Sequence, residues 1–333
     1  MMSELQNNDE LLKITDLKTH FFTHKGVVPA VDGVTLEIPR RQIVGVVGES
    51  GCGKSVTAMS VLQLISRPGR IVSGSIRLDG RELVGAGMDE IRSIRGNKVS
   101  VIFQEPMTSL NPVYTVGRQV SEAITAHQAV SKEEARKRVV DMFKAVGIPE
   151  AEKRYKCYPH QLSGGLRQRV MIGMAMACQP KLLIADEPTT ALDVTIEAQI
   201  LHLMKQLESD FGTSIMLITH NLGVVAEVCD YVYVMYAGKI MEQAGIFDLF
   251  DHTAHPYTKG LLNSIPKPTA EKRRLYNIKG MVPNLLRLPK GCRFSPRCEF
   301  ARPECFEHEP ELYDAGNGHL VRCFLYKNGG GPA

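Results

Sequence analysis

The feature that most constrains this chain is Gly48-Glu49-Ser50-Gly51-Cys52-Gly53-Lys54-Ser55, which fits G-x-x-x-x-G-K-[ST], the Walker A loop. Before it, Ile43 to Val47 is a short apolar run that suits a strand buried on both faces of a sheet. After it, residues 54–65 carry helix-compatible apolar spacing. Strand, glycine loop, helix is the order a phosphate-binding loop needs. Glycines let backbone N–H groups curl around phosphate oxygens, and the following helix aims its positive end at them. Lys54 supplies a point charge for β- and γ-phosphates, and Ser55, with Val56 behind it, supplies a hydroxyl for Mg²⁺. The bland alternative is a glycine-rich turn that happens to precede Lys-Ser; the flanking strand and helix argue against it.

A second site follows from Leu182-Leu183-Ile184-Ala185, which runs straight into Asp186-Glu187-Pro188. A buried strand that ends in two acids holds charge at the carboxyl edge of a sheet, where ligands bind. Asp186 is placed to orient Mg²⁺ through water, and Glu187 to polarise an attacking water as a general base. Alone, the pair reads equally well as a solvated turn; beside a phosphate loop that reading recedes.

The rest of the chain fits an α/β class. Val34, Leu36 and Ile38 alternate as a strand does, and Arg40-Arg41-Gln42 reads as a turn. Residues 115–178 are mostly helical, with Ser131 and Glu134 predicting a capping box. From Lys181 the texture returns to strand, helix, strand: LLIAD, IEAQILHLMKQL, SIMLITH. From about residue 255 prolines punctuate the sequence, which predicts a linker and a small irregular domain.

Composition bounds the function. At 333 residues the chain is too long for one small domain. Its 44% hydrophobic and 23% charged residues argue against global disorder. A net charge of +4 is weak for a nucleic-acid binder, and Lys272-Arg273-Arg274 reads as a solvated loop. No apolar run approaches the about 18 residues of a membrane-spanning helix, and the N-terminus has no apolar signal core. A cytoplasmic chain is expected. In that compartment Cys292, Cys298, Cys305 and Cys323, spaced C-x5-C-x6-C-x17-C, read as a metal site before disulfides. Zinc, an iron–sulfur cluster and four unconnected thiols are all open. Pro296, Pro303 and charged neighbours make an apolar thiol core the poorer expectation.

Further motifs carry a family resemblance. Leu162-Ser163-Gly164-Gly165-Leu166-Arg167-Gln168-Arg169 resembles the signature motif of ABC-type ATPases. Gln104 resembles the Q-loop glutamine, Ala191-Leu192-Asp193 the D-loop, and His220 the switch histidine. Phe21 resembles the aromatic residue on which adenine stacks, with Phe22 a close rival. Departures are small: Leu166 stands where Gln is commoner, Cys52 where Ser is frequent, and Asn221 where Asp is usual. The resemblance implies an α/β ABC-type P-loop ATPase with a RecA-like core, an antiparallel β subdomain and a helical subdomain over about 104–178. Residues 1–254 would form this domain, and 255–333 a small cysteine-rich extension.

It implies ATP and Mg²⁺ as ligands, with Mg²⁺ held through Ser55, Gln104 and Asp186. Lys54, Glu187 and His220 would be catalytic. Ser163, Gly164 and Gly165 would act on the γ-phosphate held by a partner ATPase. Taken singly, Ser163 is a plain helix N-cap, His220 a core histidine and Gln104 a surface amide.

Phe103–Pro112, Tyr158–Ser163, Ala185–Asp193 and His255-Pro256-Tyr257-Thr258 are similar to the ATP-binding subunits of dipeptide/oligopeptide importers. That resemblance implies a peripheral place on the cytoplasmic face of the membrane. The implied partners are a second ATPase (a paralogue or a copy of this chain), two transmembrane permease subunits and an extracytoplasmic solute-binding protein. It tips the four cysteines toward a [4Fe–4S] cluster. Nickel chelates and glutathione are cargoes of related importers. A non-transport ABC ATPase fits less well with a single phosphate loop, and a non-enzymatic module fits poorly with intact Lys54, Glu187 and His220.

Overall fold

The computed structural model describes residues 9–104, 109–190, 193–265 and 277–327. In chain order the elements are β1 (Glu10–Thr23), β2 (Gly26–Pro39), β3 (Ile43–Val47), α1 (Lys54–Val61), β4 (Gly69–Leu78), β5 (Arg81–Glu82), α2 (Met88–Ile94) and β6 (Val99–Ile102). Then come α3 (Val116–Thr125), α4 (Lys132–Ala145), α5 (Ala151–Arg154), α6 (Gly164–Met176), β7 (Leu182–Asp186), α7 (Val194–Phe211) and β8 (Ser214–Thr219). The chain ends in α8 (Leu222–Val228), β9 (Tyr231–Tyr236), β10 (Lys239–Gly245), α9 (Ile246–Asp251), α10 (Pro256–Asn263), α11 (Pro303–Glu307), β11 (Tyr313–Asp314) and β12 (Leu320–Val321). Among the described residues no helix is long and apolar enough to cross a membrane. Two compact units form. The first takes the described residues of 1–11, 38–43 and 85–218, and the second those of 12–37, 44–84 and 219–333.

In the first unit β6, β7 and β8 lie parallel, with Ile184 opposite Val101 on one side and Met216 on the other. Parallel neighbours need crossovers, and helices supply them. β7 and β8 are buried along their whole length, which is why LLIAD and SIMLIT carry no polar alternation. Val120, Ile124, Val139, Phe143, Val170 and Ile172 bury the inner faces of α3, α4 and α6. Ser131 does cap α4, its Oγ accepting from the Glu134 N–H at 3.1 Å. The expected box is only half made: the Glu134 carboxylate turns instead to Arg138, one turn on, at 2.7 Å. An i,i+4 ion pair outcompetes the reciprocal bond.

The second unit holds two sheets. One has the order β2-β1-β4-β5, with β1 antiparallel to β4 and a bulge between Thr15 and Lys18. In the other, β3 runs parallel to β9, and β9, β10, β12 and β11 follow as antiparallel neighbours. The cysteine-rich tail is therefore built into this unit's sheet through β12. Its anchor is Glu242, wholly buried on β10. The carboxylate accepts from the N–H groups of Ala254 (2.6 Å) and His255 (3.1 Å) and lies 2.7 Å from His319 Nε2.

Residues 256–263 form a helix where an irregular linker is expected, whereas the described residues 277–327 hold only short elements, as a small irregular domain would. Pro256 sits at the first position of α10, where its missing N–H costs nothing. His255 is the N-cap, its Nδ1 accepting from the Tyr257 N–H at 3.0 Å. Burial pushes His255 down to about 4, so the ring is neutral and that nitrogen is free to accept.

Candidate functional site

The phosphate loop follows β3, whose five residues are all buried. Gly48 (φ 151°) and Gly53 (φ 106°) are required where they stand. A Cβ on Gly48 would lie 2.1 Å from the Met235 carbonyl oxygen, and one on Gly53 2.3 Å from that of Ala30. α1 begins with no side-chain cap, which leaves its first N–H groups for a ligand. Lys54 is buried and folds back on the loop, donating to the carbonyls of Gly48 (2.7 Å) and Glu49 (3.1 Å). Cys52 lies inside the loop with Sγ 3.8 Å from Lys54 Nζ. Burial pushes this thiol up, which favours its protonated form over the nucleophilic thiolate. Ser50, Gly51 and Ser55 are exposed and Val56 half-buried.

Gly48→Ala is expected to destabilise the chain by on the order of 3 kcal/mol, because the opposing atom is backbone. Gly51→Ala, also at positive φ but with nothing within 4 Å, is expected to cost only about 1 kcal/mol. Urea unfolding of both proteins checks the difference.

In the first unit Asp186 closes β7 and is 6% exposed, a carboxylate held at the strand's carboxyl end. Glu187 then takes a left-handed backbone (φ 48°), anchored by its N–H on the Ile218 carbonyl at 2.9 Å. Its carboxylate accepts from Gln104 Nε2 (2.9 Å) and Thr190 Oγ1 (3.0 Å). The structure thus brings together two residues singled out separately in the sequence. Thr190 was not foreseen, and neither was Gln168, whose amide donates to the Pro188 carbonyl at 2.5 Å and fixes the turn. Ser163 caps α6, its Oγ accepting from the Leu166 N–H at 3.4 Å. Ser163 and Gly164 are exposed, and nothing lies within 4 Å of a Cβ built on Gly164. Asp193 is the exposed N-cap of α7. Ala191 and Leu192 lie outside the described residues.

In the second unit His220 follows β8 directly and is exposed, and Asn221 caps α8 by accepting from the Gly223 N–H at 2.9 Å. Phe21 and Phe22 separate clearly. Arg70 lies over the Phe22 ring, 4.2 Å from its centroid. Phe21 packs against Gly69, where a Cβ would come within 2.6 Å of its ring, and is half-buried.

The four cysteines line one small cavity, together with Phe294, Phe300 and Phe324. Against the expectation that charged neighbours make an apolar setting a poor home for thiols, the lining is mainly apolar, although Arg302 and Ser295 also border it. Burial, then repulsion from the other thiols, pushes Cys292 up to about 12 and Cys323 up to about 11. Without a cation these groups stay protonated. Among the described residues no three His, Cys, Asp or Glu side chains converge to hold a single metal ion.

Sequence reasoning missed a link from the tail to the loop. Arg297, next to Cys298, makes a two-pronged pair with Glu49, at 2.6 and 3.1 Å. Tyr257 Oη accepts from the Glu49 N–H at 2.9 Å. Contacts across 248 and 208 residues leave no signal in local spacing.

Comparison with known proteins places this geometry. Residues 31–190 match the family model for ABC transporters, and residues 241–305 that for the oligopeptide/dipeptide transporter C-terminal region. AppD of Bacillus subtilis, an oligopeptide transport ATP-binding protein, is 53% identical over 321 residues, covering 96% of this chain and 98% of that protein. OppD of Escherichia coli, of the same description, is 49% identical over 319 residues, covering 96% and 94%. Among solved structures, the dimeric ATP-binding cassette MJ0796 in a post-hydrolysis state with ADP and Pi superposes with a TM-score of 0.64 at 27% identity, covering 71% of this chain and 99% of that one. CbiO1 of Clostridium perfringens gives 0.63 at 28%, covering 73% and 91%. The fold is that of an ABC ATPase, and the chain belongs to the family of ABC-transporter ATP-binding proteins that carries the oligopeptide/dipeptide transporter C-terminal region.

Proposed function

We propose that this chain is the ATP-hydrolysing subunit of an importer that carries oligopeptides across the cytoplasmic membrane. The observation that carries the reading is the pairing, in one chain, of a phosphate loop with the C-terminal region of oligopeptide/dipeptide transporters. Relatives similar along nearly the whole length bear oligopeptide-transport names. The chain sits peripherally at the cytoplasmic face. Its partners are a second ATPase, two permease subunits and an extracytoplasmic binding protein. Ser163 and Gly164, exposed at the start of α6, and the half-buried Gly165 after them offer a hydroxyl and N–H groups to the γ-phosphate of that second ATPase.

Each remaining residue has a chemical task. Lys54 leaves the loop carbonyls for the β- and γ-phosphates. Ser55 and Asp186 are oxygen donors of the kind Mg²⁺ takes. Gln104 gives its amide nitrogen to Glu187, which leaves its oxygen for the metal. Glu187 accepts a proton from the attacking water, His220 steadies the γ-phosphate, and Phe21 stacks on the adenine. Asp193 serves the same contact between ATPases as the signature residues.

The cysteine pocket fits a [4Fe–4S] cluster. Its four thiols line one shared space, and iron would ionise Cys292 and Cys323, which burial otherwise keeps protonated. A cluster there would supply iron–thiolate bonds that fold the tail. Protein purified without oxygen is expected to carry about four iron and four sulfide per chain. Zinc, or no metal, would contradict the cluster and leave the ATPase reading intact.

Uptake in cells lacking the chain tests the cargo. Entry of a labelled pentapeptide is expected to fail while a nickel chelate and glutathione enter normally. Loss of nickel or glutathione uptake with intact peptide uptake would contradict the oligopeptide assignment.

A further inference from the structure

We infer that Arg297, a residue of the C-terminal extension, is a positioning residue for ATP binding that acts through Glu49 of the phosphate loop.

The guanidinium is fully engaged. Nη1 donates to Glu49 Oε2 (2.6 Å) and Tyr236 Oη (3.2 Å). Nη2 donates to Glu49 Oε1 (3.1 Å) and the Ile278 carbonyl (3.3 Å), and Nε donates to the Lys279 carbonyl (3.0 Å). All five N–H groups therefore have partners, and the side chain is 4% exposed. Burial opposes the charge, but the hydrogen bonds to Glu49 and Tyr236 and the Glu49 carboxylate more than offset it and raise the Arg297 pKa. Such a group is fixed in direction as well as in charge.

Its target is an awkward residue. Glu49 puts a carboxylate on the loop that receives a polyanion. An unpaired carboxylate there repels the triphosphate, and a freely rotating one leaves the loop without a set shape. Arg297 answers both by neutralising and orienting the side chain, while Tyr257 holds the same residue by its N–H. The Glu49 carbonyl is one of the two that Lys54 contacts, so the residue held from the tail lies beside the phosphate-binding lysine. Both holding residues come from the segment after residue 254. The extension thus shapes the nucleotide site, and Arg297 is chain neighbour to Cys298 of the thiol pocket.

The inference rests on the loop's being the ATP site, and the experiment separates the two. Equilibrium binding of a fluorescent ATP analogue to the full chain, with steady-state hydrolysis alongside, is measured for the native protein, Arg297→Ala, Glu49→Gln and the double variant. Arg297→Ala is expected to weaken binding about tenfold, with kcat at saturating ATP within about twofold of its starting value. In the Glu49→Gln background the same change is expected to cost less than about threefold, because its partner charge is gone. Arg297→Lys, which keeps the charge and loses the fork, is expected to fall between. Should Arg297→Ala not fold, the cycle run with Arg297→Lys makes the same discrimination at smaller amplitude. Unchanged binding, an equal loss in both backgrounds, or a fall in kcat with binding unchanged would each overturn the role. A native chain that binds no ATP would overturn the site assignment instead.

Discussion

Glu187→Gln is expected to lower steady-state ATP hydrolysis at least about 100-fold while ATP binding survives, the range a positioned general base contributes. The local geometry makes this change informative. Glu187 stands at a left-handed turn, and its carboxylate is held by the Gln104 amide and the Thr190 hydroxyl. Glutamine preserves the shape and can still accept one of those bonds, but it cannot take a proton from water. Because the backbone bond from the Glu187 N–H to Ile218 is untouched, the turn should persist. Single-turnover hydrolysis and ATP binding, measured on the same preparation, check the result. Thr190→Val, which removes one holding bond and leaves the carboxylate, should slow turnover far less. Unchanged hydrolysis in Glu187→Gln would remove this residue as the base.

The largest stability effect is expected at Glu242. This carboxylate has no exposed surface and gathers the N–H groups of Ala254 and His255 and the ring of His319. Glu242→Ala strips all three of their partner and leaves a void in β10, for a cost on the order of 3–5 kcal/mol. The damage should reach further than one strand. Ala254 and His255 lead into α10, while His319 belongs to the segment that delivers β12, so the tail loses its main polar anchor. His319→Ala, which removes one partner and leaves the two backbone bonds, is expected to cost about 1–2 kcal/mol. Chemical denaturation of the three proteins ranks them. Equal stability of Glu242→Ala and native protein would refute the anchoring role.

What the sequence made legible is what depends on neighbours in the chain. The phosphate loop could be read because strand, glycines and lysine lie within a dozen residues and each has a local reason to be there. The strand ending in Asp186 and Glu187 was readable from an unbroken apolar run, and the Ser131 cap from its position before α4. The rest depended on tertiary meeting points. Nothing in local spacing pairs Gln104 with Glu187, or brings Arg297 and Tyr257 to Glu49. Pro256 illustrates the opposite failure. Proline breaks helix interiors and so reads as punctuation, yet at the first position of α10 it starts a helix. The cysteines show both sides: their crowding in the last part of the chain was visible in the sequence, whereas the single cavity that all four line depends on how the tail folds.

The most direct test of the central claim is oligopeptide uptake in cells lacking this chain, complemented either by the native protein or by Glu187→Gln at matched expression. The native chain is expected to restore uptake, and the variant to leave it at the level of uncomplemented cells. Equal rescue by both would contradict an importer driven by hydrolysis at this site.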